Sequence, residues 1–221
     1  LILGAMHAHQ AQQLILFLKQ QDVSLRTIEG PEAITTQFLS DWTQSHGVEV
    51  EQTMRQGLYE VCSVRLPEAC GGQLIQAHDA HYDDLRTLIN GYINTFDAPW
   101  MTPSQIDART QRFIREHRAY LWQDAAGDMV SFAAVVRESP NTTSISWVFT
   151  PPERRGKGFA SCLVAYLSQA QLDEGKSACN LHTDLDNPTS NAIYKRLGYQ
   201  LLERSIRAQL ANPKKHAHNS D

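Results

Sequence analysis

The sequence predicts a mixed α/β fold with a mostly antiparallel central sheet. Three observations carry this. Between Tyr120 and Thr150, apolar runs are separated by the turn signals Ala126-Gly127-Asp128 and Pro140-Asn141, which reads as an antiparallel meander. A glycine-bearing loop then opens a long helix, whose Phe159, Cys162, Leu163, Tyr166, Leu167 and Ala170 recur at i, i+3, i+4, i+7, i+8 and i+11. Strand and helix patterns alternate again from Ala178 to Ile206.

The first third predicts a smaller α/β region. Leu1–Leu3 ends a strand, and Leu14, Ile15 and Leu18 mark a helix. Val23–Ile28 is extended. Gly30-Pro31 opens a second helix with proline in its first turn, its buried face formed by Ile34, Phe38 and Trp42, and Gly47 ends it. Val48–Met54 and Leu58–Leu66 read as a hairpin around Gln56-Gly57. Pro67–Gly72 marks a boundary, so residues 1–70 and 71–210 are expected to be two domains, with a polar, disordered tail over 211–221. After it, Leu74–Ala77 is a strand. Asp79 caps a helix with the face Tyr82, Leu85, Leu88, Ile89, Tyr92, Ile93 and Phe96, and Thr102-Pro103 starts another carrying Ile106, Phe113 and Ile114.

Composition narrows the function. The chain has 221 residues, 42% of them hydrophobic, enough for a sizeable core. A net charge of −4 argues against nucleic acid as a partner. The longest apolar run, Leu14–Leu18, falls far short of the ~20 residues a membrane span needs. The sequence begins at Leu1, and Leu1–Met6 has neither a basic start nor a cleavage pattern. Cys62, Cys70, Cys162 and Cys179 form no C-x-x-C pair, so all four are expected to be reduced thiols of a cytoplasmic protein. Cys162 and Cys179 read as core, and no metal site is expected. His78, Asp79 and His81 read as loop and cap residues, and His216 and His218 carry no argument.

Chemistry concentrates at Pro151–Ala160. Two glycines and three cations (Arg154, Arg155, Lys157) precede a long helix, the arrangement of an anion site. Neither a Walker loop nor G-x-G-x-x-G is present. Arg155-Gly156-Lys157-Gly158-Phe159-Ala160 fits [Q/R]-x-x-G-x-[G/A]. It resembles the pyrophosphate loop of the GNAT superfamily of acetyl-CoA-dependent N-acetyltransferases. Asn187-Pro188-Thr189-Ser190-Asn191-Ala192-Ile193-Tyr194, with Gly198-Tyr199 at the helix end, resembles that superfamily's other block, and order and spacing agree. The resemblance runs from Leu74 to Ile206. Val148–Glu153 and Thr183–Pro188 further resemble a predicted-acetyltransferase subgroup with an extra N-terminal region. Residues 1–70 are then either a degenerate GNAT half-domain, unable to bind coenzyme A, or an unrelated α/β appendage.

The resemblance implies an acyl-CoA-binding fold and a set of roles. Backbone N–H groups of Arg155, Gly156, Lys157, Gly158, Phe159 and Ala160 would hold the pyrophosphate, with Arg154 and Lys157 adding charge. Backbone of Val148, Phe149 and Thr150 would pair with the pantetheine arm, and an N–H near Val148 or Phe149 would polarise the acetyl carbonyl. Tyr194, by spacing alone a core position, would be the general acid for the thiolate. Asn187 would cap its helix and touch the cofactor. For the base, Glu138, Glu153, His182 and Asp184 stand open, as does a reaction with none. The implied reaction is direct acetyl transfer from acetyl-CoA, without a metal, to a small-molecule or peptide amine, on a monomer or a homodimer. The rival is a non-catalytic acyl-CoA-binding regulatory module. The acceptor would lie against Tyr82–Ile114, where Phe96 and Trp100 form an apolar wall or belong to the core.

Overall fold

A computed structural model describes residues 1–68, 70–95 and 100–211. Phe96 and the predicted tail from residue 212, with His216 and His218, lie outside the described residues. The order is α1 (Ala8–Gln20), β1 (Thr27–Pro31), α2 (Glu32–His46), β2 (Val50–Val61), β3 (Gly72–Gln76), α3 (Tyr82–Ile93), α4 (Pro103–Arg115), β4 (Ala119–Asp124), β5 (Met129–Glu138), β6 (Thr142–Phe149), α5 (Phe159–Asp173), β7 (Ala178–Asp184), α6 (Pro188–Arg196) and β8 (Gln200–Leu210). The fold is mixed α/β, its strands mostly antiparallel, as the sequence predicts. Against the predicted boundary at Pro67–Gly72, two compact units part between Leu58 and Tyr59. The first unit also takes Thr183–Pro188 and the chain from Leu201 on.

In the first unit, strand neighbours run β1-β8-β2. β1 pairs antiparallel with β8, Thr27 opposite Gln209 and Pro31 opposite Ser205. Phe38, Leu39 and Trp42 of α2 meet Ala11 and Ile15 of α1 and Ile206, Ala208 and Leu210 of β8 in one core. Gly47 ends α2 in the left-handed region, at φ 61°. Pro31 is the N-cap of α2, one position earlier than the sequence suggests. The predicted hairpin is absent: β2 is one strand through Gln56-Gly57. Gly57 lacks the positive φ of a tight turn, and alternate positions Gly57, Tyr59 and Val61 are all buried. An unbroken period of two outranks a turn-like dipeptide.

In the second unit the order is β7-β6-β5-β4-β3. β3 to β6 form the antiparallel run, and β7 is parallel to β6. Leu85, Leu88, Ile89 and Ile93 of α3 and Ile106, Phe113 and Ile114 of α4 pack on Leu121, Phe132 and Phe149. The ring of Phe149 lies so close to α3 that a Cβ on Gly91 would approach it to 2.8 Å. Thr102 caps α4: its Oγ1 accepts from Gln105 N–H, and Gln105 Oε1 accepts in return from Thr102 N–H at 2.8 Å. Asp79 is no helix cap. It begins a short 3₁₀ turn, Asp79–His81, and α3 starts after it.

α5 is buried on more than one face. Val164, Ala165 and Ser168 are covered along with Cys162, Leu163 and Leu167, whereas Tyr166 is exposed. Its buried polar groups are matched: Ser168 Oγ with the Tyr199 hydroxyl at 2.7 Å, and Gln171 Oε1 accepting from Thr143 Oγ1 at 2.9 Å. The four-thiol expectation is overturned. Cys70 and Cys162 form a disulfide across 92 residues, with Cα atoms 5.8 Å apart. A search for C-x-x-C spacing is blind to a pair brought together by tertiary structure. Cys62 and Cys179 are free. Among the described residues, no helix is long and apolar enough to cross a membrane, and no cluster of His, Cys, Asp or Glu could hold a metal.

Candidate active site

The parallel pairing of β6 with β7 is short. Thr142, Thr143, Ser144 and Ile145 oppose Ala178, Cys179, Asn180 and Leu181, and among the described residues the register stops there. The β7-facing backbone from Ser146 to Phe149 is left without a strand beside it. On its other edge β6 carries a bulge. Phe149 pairs with Phe132 and Ser146 with Ala134, so three steps on β6 match two on β5. Trp147 absorbs the mismatch at φ 59°, a conformation that bulky L-residues avoid. The bulge re-aims Val148 and Phe149 just before the loop. Sequence reading missed it because Ile145, Trp147 and Phe149 alternate regularly with their neighbours. The one local sign was Val148, an apolar residue out of phase.

The strand end is held firmly. Ser131 Oγ donates to the Phe149 carbonyl at 2.7 Å and lies 2.8 Å from Thr150 Oγ1, all of it buried. Arg155 Nε donates to the Thr150 carbonyl at 3.0 Å, so this side chain braces the loop instead of reaching outward. Arg154 is also engaged, 2.8 Å from Asp128 and 3.5 Å from Asp124 on the β4–β5 turn, which neutralises it as a phosphate cation. Lys157 is exposed and, among the described residues, paired with no carboxylate.

Gly156 and Gly158 take φ 78° and 81°, and nothing lies within 4 Å of where a Cβ would stand on either. Glycine is needed for the backbone angle, and it keeps the approach to the loop clear. Gly158 is the N-cap of α5 and supplies no side-chain cap. The first helical bond runs from Cys162 N–H to Gly158 C=O, leaving the N–H groups of Phe159, Ala160 and Ser161 ahead of it. With no acidic residue in the first turn, this end of α5 suits an anion.

Tyr194 is buried on α6. Burial, and next the nearby Tyr92 hydroxyl, push its pKa up to about 12, so it stays a proton donor throughout the neutral range. Tyr92 packs on Trp147 at 5.0 Å between ring centroids, which links Tyr194 to the bulge. The end of α6 holds Tyr194 in place. Tyr199 N–H donates to Tyr194 C=O and Gly198 N–H to Lys195 C=O, with Gly198 at φ 99°. The two rings meet at 5.9 Å, completing a Schellman motif. The Gly198-Tyr199 pair of the sequence block therefore serves the helix end.

Asn187 is exposed, in the Thr183–Pro188 segment of the first unit, its N–H donating to Asp184 C=O. Among the base candidates, Glu138 pairs with Arg118 and Lys176 and lies opposite Thr143, at the other end of β5 and β6 from Phe149. Glu153 is exposed in the 3₁₀ turn before Arg155. His182 is exposed one residue past the last β6–β7 pair. Asp184 Oδ1 accepts from the Asp186 N–H. Cys162 is consumed in the disulfide, and burial pushes the Cys179 thiol up to about 12.

Residues 125–208, which include the bulge, the loop, α5 and α6, match the family model described as FR47-like protein. That match spans this segment and not the rest of the chain. Similar solved structures share the GNAT fold at low identity. An acetyltransferase from the GNAT family from Colwellia psychrerythraea superposes with a TM-score of 0.66 at 11% identity, over 91% of this chain and 73% of that one. A GCN5-related N-acetyltransferase from Sphaerobacter thermophilus gives 0.65 at 16%, over 90% and 67%. One from Kribbella flavida gives 0.61 at 18%, over 97% and 79%. No curated protein matches the chain.

Proposed function

We propose that this chain is an N-acetyltransferase of the GNAT type that moves the acetyl group of acetyl-CoA to a primary amine. The observation that carries the reading is the departure of β6 from β7 after Ile145 and Leu181, beside a two-glycine loop that leaves the start of α5 uncapped. The open backbone fits a pantetheine arm, and the clear approach to Gly156 and Gly158 fits a pyrophosphate. Bound there, acetyl-CoA supplies a thioester-activated acetyl group.

The chain's own residues then have defined tasks. Arg155 N–H is spent on the Pro152 carbonyl at 3.2 Å, against the sequence expectation, so N–H groups from Gly156 to Ala160 bind phosphate oxygens and Lys157 adds a charge. Arg155 keeps the loop in shape through Thr150. Trp147 turns the Val148–Phe149 backbone, whose N–H polarises the acetyl carbonyl. Tyr194 holds its proton for the departing sulfur; near pKa 12 in this pocket it is a weak acid, matched to a thiolate that is itself desolvated. Cys162 is oxidised and Cys179 inert, so neither supplies a nucleophile for an acyl-enzyme; Cys62 is a free, exposed thiol, and its replacement by Ser should leave turnover unchanged if the amine attacks directly.

Thermal melting with acetyl-CoA, coenzyme A, ATP and NADPH tests the cofactor. At ~100 times its dissociation constant a ligand adds about 2.7 kcal/mol, a rise of roughly 5–10 °C here. A rise with acetyl-CoA and coenzyme A alone supports the reading. No rise with either removes it. Binding with no turnover over a broad amine panel would instead indicate a non-catalytic acyl-CoA-binding module.

A further inference from the structure

The acceptor side of the site carries a charge that the fold does not use. A groove of about 330 Å³ is lined by Trp100, Met101, Gln105, Ala108, Arg109 and Arg112. Two of these residues, Trp100 and Arg109, also meet Trp147: the rings of Trp100 and Trp147 are 5.5 Å apart, and the Arg109 guanidinium carbon stands 5.6 Å from the Trp147 ring and 5.5 Å from Phe113. The groove thus adjoins the bulge residue that precedes Val148 and Phe149.

Of the three cations of α4, Arg109 and Arg115 form no ion pair among the described residues, and of these two only Arg109 lines the groove and lies on Trp147. Arg112 is paired with Glu116 at 2.8 Å. Asp107, the acidic residue nearest Arg109 in sequence, is taken by Arg86 and by the Tyr82 hydroxyl. Among the described residues Arg109 pairs with no carboxylate. Two aromatic faces restrain a half-buried guanidinium whose fork is left for a planar anion. The other walls, Trp100 and Met101, are apolar.

We infer that the acceptor is a free amino acid with an apolar side chain, its carboxylate bound by Arg109 and its amine presented at the Trp147 bulge. This deepens the acetyltransferase reading and rests on it. In the step, the deprotonated amine attacks the acetyl carbon. The C–N bond forms, the C–S bond breaks, sulfur leaves with the electron pair and is protonated, and the amine nitrogen gives up one proton to solvent or a base.

The experiment compares phenylalanine, its methyl ester and phenethylamine as acceptors with acetyl-CoA, following free thiol release. The expected result is kcat/KM at least tenfold higher for phenylalanine than for either probe lacking the carboxylate. Arg109→Met should abolish that preference, chiefly by raising KM for phenylalanine, while the acetyl-CoA-induced melting shift stays as in the parent. Arg109→Lys should restore part of it. Equal or better use of phenethylamine overturns this proposal and leaves the acetyltransferase reading standing, as does a preference that survives Arg109→Met. Absence of any acetyl-CoA melting shift overturns both.

Discussion

α1 and α5 each begin a helix of comparable length, thirteen and fifteen residues, in different units, and their first turns are finished in opposite ways. At α1, His7 precedes the helix in an extended conformation, and Gln10 Oε1 reaches back to accept its N–H at 2.8 Å. At α5, left-handed Gly158 brings no side chain, and the donors of the first turn are not bonded within the helix. The segment before α1 has no Lys or Arg, whereas the one before α5 has three cations. A helix start that the chain completes itself stabilises the fold. One left open, with room around its glycines, suits the anion of the proposed function.

The largest effect should come from the staple that α5 has and α1 lacks. Reducing Cys70–Cys162, or replacing Cys70 by Ser, should cost about 4.6 kcal/mol through the freed loop, roughly 9–18 °C in a melting curve. An unchanged melting temperature under dithiothreitol would show that α5 is held by packing alone.

Tyr194→Phe comes next. It should lower kcat ~100-fold, the scale of a lost general acid, with acetyl-CoA affinity within about twofold. Unchanged turnover would return Tyr194 to the core. The variant also has a pH signature. The folded state raises this phenol from 10.0 to about 12, so it holds the proton more tightly than the unfolded chain does. That stabilisation is complete below pH 10 and is lost as pH rises through about 12. Alkaline melts of Tyr194→Phe should therefore fall less steeply across that window.

Gly158→Val sharpens the contrast between the two helix starts directly. A left-handed β-branched residue costs about 2 kcal/mol, and its methyls would crowd the anion site, so acetyl-CoA binding should weaken ~30-fold by calorimetry. Gln10→Ala is the counterpart and the smallest effect. Losing the reach-back bond should cost about 0.5–1 kcal/mol in denaturant unfolding and leave acetyl-CoA affinity unchanged. A loss of affinity there would tie the first unit to the ligand.

Much of the second unit was legible from short-range signals. Thr102-Pro103 starts α4 through a cap completed by Gln105, and Gly198 ends α6, each within one helical turn. The glycine loop was readable for the same reason, since its conformation needs only Gly156 and Gly158. The cation assignments were less so. Arg154, Arg155 and Lys157 look alike in sequence, yet Arg154 is drawn to Asp124 and Asp128, Arg155 to the Thr150 carbonyl, and only Lys157 faces solvent unpaired among the described residues.

The sequence by itself determined the start of α4, the ends of α2 and α6, and the two glycines that open α5. Those features depend on residues a few positions apart, whose sterics and hydrogen bonds act before any tertiary contact forms. The tertiary structure alone decided the Cys70–Cys162 bond, the continuity of β2 through Gly57, the left-handed Trp147 and the stacking of Arg109 on it. Each of these depends on partners distant in sequence: a strand register, a packed helix, or a thiol 92 residues away. Burial and pairing, which no local window contains, set their energies.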